Sequence, residues 1–236
     1  MGTFVLVHGA WGGGWSWRPT VGKLLRDAGQ EVFTPTLTGL GERTHLASPE
    51  VNLDTHIQDI VNVIEFENLR DVVLMGHSYG GMVITGVADR IPERLAALVY
   101  VDAFVPQDGQ SLADLVGTTA EQMEARARAE GDGWRLPPGP GTPGASPEHV
   151  AWVTPRRAAQ PVKTFTQPVH LTGGGADLPR TYVYCTDPPG DAFTRIATRL
   201  RADPAWKVVD FPTSHNVHYT MARELADLLL ATLPGD

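Results

Sequence analysis

Five consecutive residues, Gly76-His77-Ser78-Tyr79-Gly80, carry the clearest chemical signal in the chain. They fit the pattern G-x-S-x-G, in which a sharp strand-to-helix turn lifts a serine hydroxyl above the edge of a sheet. A chain of this glycine and serine content yields roughly 0.07 such matches by chance. The chemistry implied is attack by the Ser78 hydroxyl on a carbonyl carbon. A serine at its ordinary pKa is a poor nucleophile, so it needs a base, and the base needs an orienting group.

Eight histidines are available as the base. In this arrangement the acid and then the histidine follow the serine along the chain. His215 and His218 stand between the last strand-like run and the last helical pattern, with His215 nearer the strand end. His218 reads as a capping or surface residue. His8 and His77 flank the site but precede the acid, and His8 reads as structural, at a strand end. His45, His56, His149 and His170 read as surface or cap positions. Among the acids, Asp187 directly follows a strand-like run at Thr181–Thr186, and Asp102, which ends an earlier run, competes with it. Asp191 reads as a helix N-cap, and Asp203 lies too far along.

Two backbone N–H groups should face the carbonyl oxygen as it becomes negative. One belongs to Tyr79, the residue after the serine; the other should come from the loop after the first strand. That loop, His8-Gly9-Ala10-Trp11-Gly12-Gly13-Gly14, is glycine-rich where backbone must approach a ligand. Ala10 is the expected second donor, with Trp11 next.

These residues need a frame that gathers them at one edge. Apolar β-rich runs at Thr3–Val7, Gln30–Thr34, Asp71–Gly76, Leu95–Asp102, Arg180–Thr186 and Trp206–Phe211 alternate with helical patterns. The helical patterns are Ser16–Ala28, Leu53–Asn68, Tyr79–Arg90, Asp191–Ala202 and Tyr219–Leu233. Continuous apolar strands between helices predict a mostly parallel sheet of about six strands with helices on both faces. Residues 104–177 break the rhythm. They hold a helix-like stretch at Ser111–Ala129, then five prolines and three glycines within Leu136–Pro147. They read as a cap inserted into a core of residues 1–103 and 178–236, since a plain loop of that length is rare in a compact domain.

The chain has 236 residues, a net charge of −8 and one cysteine. It has no basic run, which argues against nucleic acid as a partner. A lone cysteine, Cys185, allows no internal disulfide. No charged-then-apolar leader and no span-length apolar run stand out, so the chain reads as cytoplasmic and not membrane-bound. No metal or organic cofactor is implied, since neither H-E-x-x-H nor a G-x-x-x-x-G-K loop occurs. The oligomeric state is left open, a homodimer included.

Three stretches together resemble a known family: Phe4-Val-Leu-Val-His-Gly-Ala-Trp-Gly-Gly-Gly-Trp-Ser-Trp17, Gly76-His-Ser-Tyr-Gly-Gly81 and Ser214-His-Asn-Val-His-Tyr-Thr220. They are similar to the branch of α/β hydrolases that contains plant methylesterases, hydroxynitrile lyases and bacterial carboxylesterases such as pyrethroid hydrolases. The resemblance covers roughly residues 3–102 and 180–233 and is weak in the cap. It implies the α/β-hydrolase fold, Ala10 as the loop donor, and an acid after the penultimate strand, which favours Asp187 over Asp102. Hydroxynitrile lyases of this branch carry a threonine near the oxyanion loop and a lysine right after the histidine. Here Gly9 and Asn216 stand there, which favours hydrolysis.

The expectation is a serine hydrolase that cleaves an ester or related acyl bond of a small apolar or aromatic substrate, through Ser78, His215 and Asp187. Trp11, Phe104, Met123, Trp134 and Trp152 are the expected substrate-lining residues. A lyase or carbon–carbon bond hydrolase on the same triad, a cofactor-free haloperoxidase and a non-catalytic small-molecule receptor are the other readings that this fold permits.

Overall fold

The structure, a computed structural model, describes residues 1–139 and 146–233. The chain runs β1 (Thr3–Val7), α1 (Val21–Asp27), β2 (Glu31–Phe33), α2 (Leu53–Phe66), β3 (Val72–His77), α3 (Gly80–Arg90) and β4 (Leu95–Val101). Small elements follow: α4 (Leu112–Leu115), α5 (Ala120–Glu130), β5 (Arg135–Leu136), α6 (Pro147–Val153), β6 (Gln160–Pro161) and α7 (Lys163–Thr166). The regular alternation then resumes with β7 (Arg180–Cys185), α8 (Asp191–Arg201), β8 (Trp206–Phe211), α9 (Val217–Thr220) and α10 (Ala222–Leu230). Six strands form one parallel sheet in the order β2-β1-β3-β4-β7-β8, and β5 and β6 make a separate antiparallel pair.

Successive strand residues point to opposite faces, so buried strands feed two cores. Val5 and Val7 of β1 and Leu74 of β3 join α2, α3 and α8 on one face. Phe4, Leu6, Val73 and Met75 join Trp17, α1 and α10 on the other. Among the described residues of 104–177, Met123, Leu136, Val162 and Phe165 belong to the first cluster. Asn52 starts α2 with a capping box, its side chain accepting from Thr55 N–H at 2.9 Å.

Three helical expectations are corrected. The pattern at Ser16–Ala28 splits: Ser16 Oγ donates to Gly13 O at 2.8 Å, and α1 starts only at Val21. Ser111–Ala129 is two helices, parted at Gly117, whose φ of 75° no helix accepts. The last pattern divides into α9 and α10. Half of the proline-rich stretch, residues 140–145, lies outside the described residues.

Parallel strands end at a common edge. His8, Ser78, Asp102 and Thr186-Asp187 follow β1, β3, β4 and β7 there. The turn after β3 needs close approach. A Cβ on Gly81 would sit 2.1 Å from the backbone oxygen of Phe104, with no flexible atom able to yield. Gly81→Ala should therefore lower stability by about 1–3 kcal/mol in a chemical-denaturation experiment; an unchanged midpoint would contradict this packing.

Buried histidines tie stability to pH, His8, His56 and His218 among them. Burial pushes the pKa of His8 and of His56 down to about 4, and that of His218 down to about 3. Each stays neutral in the native protein but protonates in the unfolded chain below its ordinary value near 6.5. Stability from these rings is therefore complete above pH 6.5 and is lost as pH falls toward the native values. Unfolding free energy should drop by about 2 kcal/mol for each ring between pH 7 and pH 5. Urea titrations at the two pH values check this, and equal stability would contradict it.

Candidate active site

Ser78 stands between β3 and α3 with φ of 54°, in the left-handed region. Such a conformation is strained for a residue with a side chain and persists only where neighbours hold it. Here Ser78 N–H donates to Val101 O at 3.2 Å, and Ser78 O accepts from Phe104 N–H at 3.0 Å and Gly81 N–H at 3.1 Å. A Cβ on Gly76 would meet Gly80 O at 2.6 Å, so only glycine lets the turn close.

His215 and Asp102 form the hydrogen-bonded core of the site. His215 Nδ1 lies 2.6 Å from Asp102 Oδ2. Asp102 is 1% exposed, and its Oδ1 accepts from Cys185 N–H at 3.2 Å. Asp102 too has a left-handed backbone, with φ of 41°. Burial and the nearby Asp102 charge push the Cys185 thiol well above its ordinary pKa. The His215 ring is stacked on Phe193, with centroids 4.9 Å apart, and lies 4.5 Å from the His77 ring. His77 Nε2–H donates to His215 O at 2.8 Å, which fixes the loop as well as the ring. Burial, with His215 and His218 beside it, lowers the His77 pKa well below its usual value, so it acts as a neutral donor.

Asp187 is not placed for the orienting role. Its side chain is exposed and has no hydrogen-bond partner among the described residues; its backbone N–H holds Thr213 O at 3.0 Å. The strand order explains the substitution. β4 lies between β3 and β7, and the left-handed step after Val101 carries the Asp102 carboxylate beneath the His215 ring.

The loop after β1 is fixed by side-chain hydrogen bonds at His8 and Trp11. Leu37 N–H donates to His8 Nε2 at 3.1 Å, so His8 Nδ1 carries the proton and donates to Gly9 O at 2.8 Å. Further on, Trp11 has φ of 59°. Its N–H donates to Gln160 Oε1 at 2.8 Å, and its oxygen accepts from Ala158 N–H at 3.2 Å. Gln160 is wholly buried, and its Nε2 donates to Thr164 Oγ1 at 2.9 Å. With Trp11 N–H engaged, Ala10 offers the loop N–H. Among the described residues neither Ala10 N–H nor Tyr79 N–H has an acceptor.

The Tyr79 side chain turns into the core. Its hydroxyl donates to His56 Nδ1 at 2.8 Å, and His56 Nε2–H donates to Thr38 O at 2.9 Å. His56 is thus wholly buried, not a surface residue. Likewise His218 is buried beside Trp17, centroids 4.8 Å apart, where a capping or surface role was expected.

A cavity of about 370 Å³ opens on this edge. Ser78, His215 and Ala10 line it, together with Trp11, Trp15, His149, Arg157 and Tyr219. Of the expected substrate-lining residues Trp11 is on its wall. Trp152 stands behind that wall, against Trp15 at 5.1 Å. The other three are corrected. Phe104 packs on Phe193 at 5.0 Å, Met123 is buried in the first core cluster, and the Trp134 ring lies under the Arg135 guanidinium at 4.5 Å. Gln160 and Arg157 stand in the segment of weakest sequence pattern and carry no sequence signal. His56 had a signal: with Leu53, Ile57, Ile60 and Ile64 it lies on the buried stripe of α2.

A family profile described as "Alpha/beta hydrolase family" matches residues 4–228. A carbendazim hydrolyzing esterase of Nocardioides sp. (strain SG-4G) is 42% identical over 241 residues, 98% of this chain and 99% of that one. A putative chloroplastic methylesterase 11 of Arabidopsis thaliana is 28% identical over 128 residues, and the match spans 54% of this chain but only 33% of that longer protein. Among solved structures, an extracellular alpha/beta-hydrolase from a Paenibacillus species superposes with a TM-score of 0.84 at 25% identity, covering 100% of both chains. Sequence motifs, six-stranded sheet and close full-length relative agree: the chain belongs to the alpha/beta hydrolase family, as a carboxylesterase-like enzyme.

Proposed function

We propose that the chain hydrolyses carboxylic esters through an acyl-enzyme, with Ser78 as nucleophile, His215 as base and Asp102 as the acid that orients it. The observation that carries this reading is the 2.6 Å bond between the buried Asp102 carboxylate and His215, on the sheet edge that also presents Ser78. With Nδ1–H donated to the carboxylate, the lone pair of Nε2 is free to take the Ser78 proton. Ser78 Oγ then bonds to the ester carbonyl carbon. Ala10 and Tyr79 N–H groups stabilise the oxyanion, aided by the N-terminal end of α3. The imidazolium returns its proton to the departing alcohol. Water, deprotonated by His215, then cleaves the acyl-enzyme and restores Ser78.

The walls set by Trp11, Trp15 and Tyr219 suit a small apolar or aromatic substrate. Residues 104–177 serve as the cap over it in this reading. Because the Nocardioides relative is named for hydrolysing carbendazim, that compound belongs beside p-nitrophenyl and aromatic methyl esters in a substrate panel. Asn216, not an ammonium, stands next to His215 on the cavity wall, which supports hydrolysis over release of a cyanide leaving group.

Ser78→Ala should cut turnover of the panel by about 10³-fold or more. Asp102→Asn should lower kcat/KM by a comparable factor, and Asp187→Asn should leave it within about twofold. The reverse ranking of the two aspartate variants would sink the assignment. Gln160→Ala releases Trp11 N–H and lets the loop drift. It should reduce kcat about tenfold or more with KM little changed, and weaken a trifluoromethyl ketone inhibitor in parallel. Wild-type kinetics in a folded Gln160→Ala variant would contradict its positioning role.

A further inference from the structure

The cavity has an uneven charge. The chain carries 27 acidic residues against 19 lysines and arginines. Yet among the described residues no aspartate or glutamate lines this cavity, while Arg157 does. Residues 140–145, which follow the lining residue Gly139, have no ionisable side chain either. Asp102 lies behind His215, 1% exposed, and does not face the space.

Arg157 is held where it can act on a bound molecule. Its Nη1 donates to Gly139 O at 2.8 Å, and its guanidinium lies 5.8 Å from the Trp11 ring centroid. The next residue, Ala158, donates its N–H to Trp11 O at 3.2 Å. Arg157 is thereby tethered one residue from the loop that offers Ala10 N–H. The Trp11 ring is itself fixed, its Nε1 donating to Leu136 O at 3.0 Å. Gly139 O is the guanidinium's acceptor among the described residues, and its other N–H groups are donors for a ligand there. Partial burial draws the Arg157 pKa down without taking its charge, and no carboxylate opposes that shift. A half-buried cation with no carboxylate partner among the described residues, on the wall of a substrate cavity, is a receptor for an anion.

We propose that Arg157 selects substrates carrying an anionic group, so that the preferred esters are those of aromatic or apolar molecules that also bear a free carboxylate. This rests on the esterase reading above. The carboxylate would pair with the free edge of the guanidinium, and the aromatic body would lie along Trp11 and Tyr219. The ester carbonyl would then reach Ser78.

Two matched pairs test it: methyl benzoate against monomethyl terephthalate, and phenyl acetate against 4-acetoxybenzoate. Wild-type kcat/KM should favour the anionic member of at least one pair. Arg157→Gln should abolish that preference, lowering the anionic member about ten- to a hundredfold while the neutral member stays within about twofold. Equal rates within both pairs, or an equal loss on both members in the variant, would overturn it and make Arg157 only a strut between Gly139 and Trp11. Titration of Ser78→Ala protein with monomethyl terephthalate gives a readout free of turnover. Binding that weakens about tenfold or more when Arg157→Gln is added supports the proposal, and binding indifferent to that change rejects it. If no ester is turned over while this titration still depends on Arg157, the esterase reading fails and the anion site stands.

Discussion

A carboxylate almost wholly removed from water, held 2.6 Å from an imidazole, sets the terms for the rest of this molecule. A buried charge is strongly destabilising unless it is paired and hydrogen-bonded. Asp102 is hydrogen-bonded on both oxygens, by His215 on one and Cys185 N–H on the other. The arrangement needs β4 and β7 side by side, a left-handed step after β4, and a loop after β8 that brings His215 back over the sheet. Phe193 and His77 then confine the ring on either side. The pairing thus couples four strands, one helix and one loop at a single edge.

Strain gathers at the same place. Of the five non-glycine residues with left-handed backbone among those described, Trp11, Ser78 and Asp102 are at the site. The other two, Asn68 and Asp71, are of types that tolerate this conformation in the turn before β3. Each site residue has its own restraint: Gln160 for Trp11, backbone bonds to Val101, Phe104 and Gly81 for Ser78, and Val183 O at 2.7 Å for Asp102 N–H. Through Gln160 and Ala158 the inserted segment grips the loop that offers Ala10 N–H. Cavity wall and oxyanion loop are therefore parts of one hydrogen-bonded unit, not a lid resting on an independent site.

The nucleophile turn and the parallel sheet were legible because local chemistry determines them. Glycines at 76, 80 and 81 between an apolar run and a helical run leave little other choice, and continuous apolar strands require two covered faces. Which aspartate pairs with His215 was not legible. Asp102 and Asp187 both follow strands that end at the same edge, β4 and β7 are neighbours, and chain order permits either. What separates them is exposure and one backbone step, neither of which is written locally. The family resemblance favoured Asp187, and the structure departs from it. His56 was legible in principle, as a polar residue on the apolar stripe of α2, where burial demands a partner such as Tyr79. Gln160 and Arg157 had no signal, since they lie among short elements whose positions follow only from packing against Trp11.

The most direct test of the account is proton NMR of the His215 ring in the wild type and in two variants. A proton held in a short bond between Nδ1 and a buried carboxylate resonates far downfield. The account predicts that resonance in the wild type and in Asp187→Asn, and its loss or marked upfield shift in Asp102→Asn. A resonance that survives in Asp102→Asn and disappears in Asp187→Asn would contradict it.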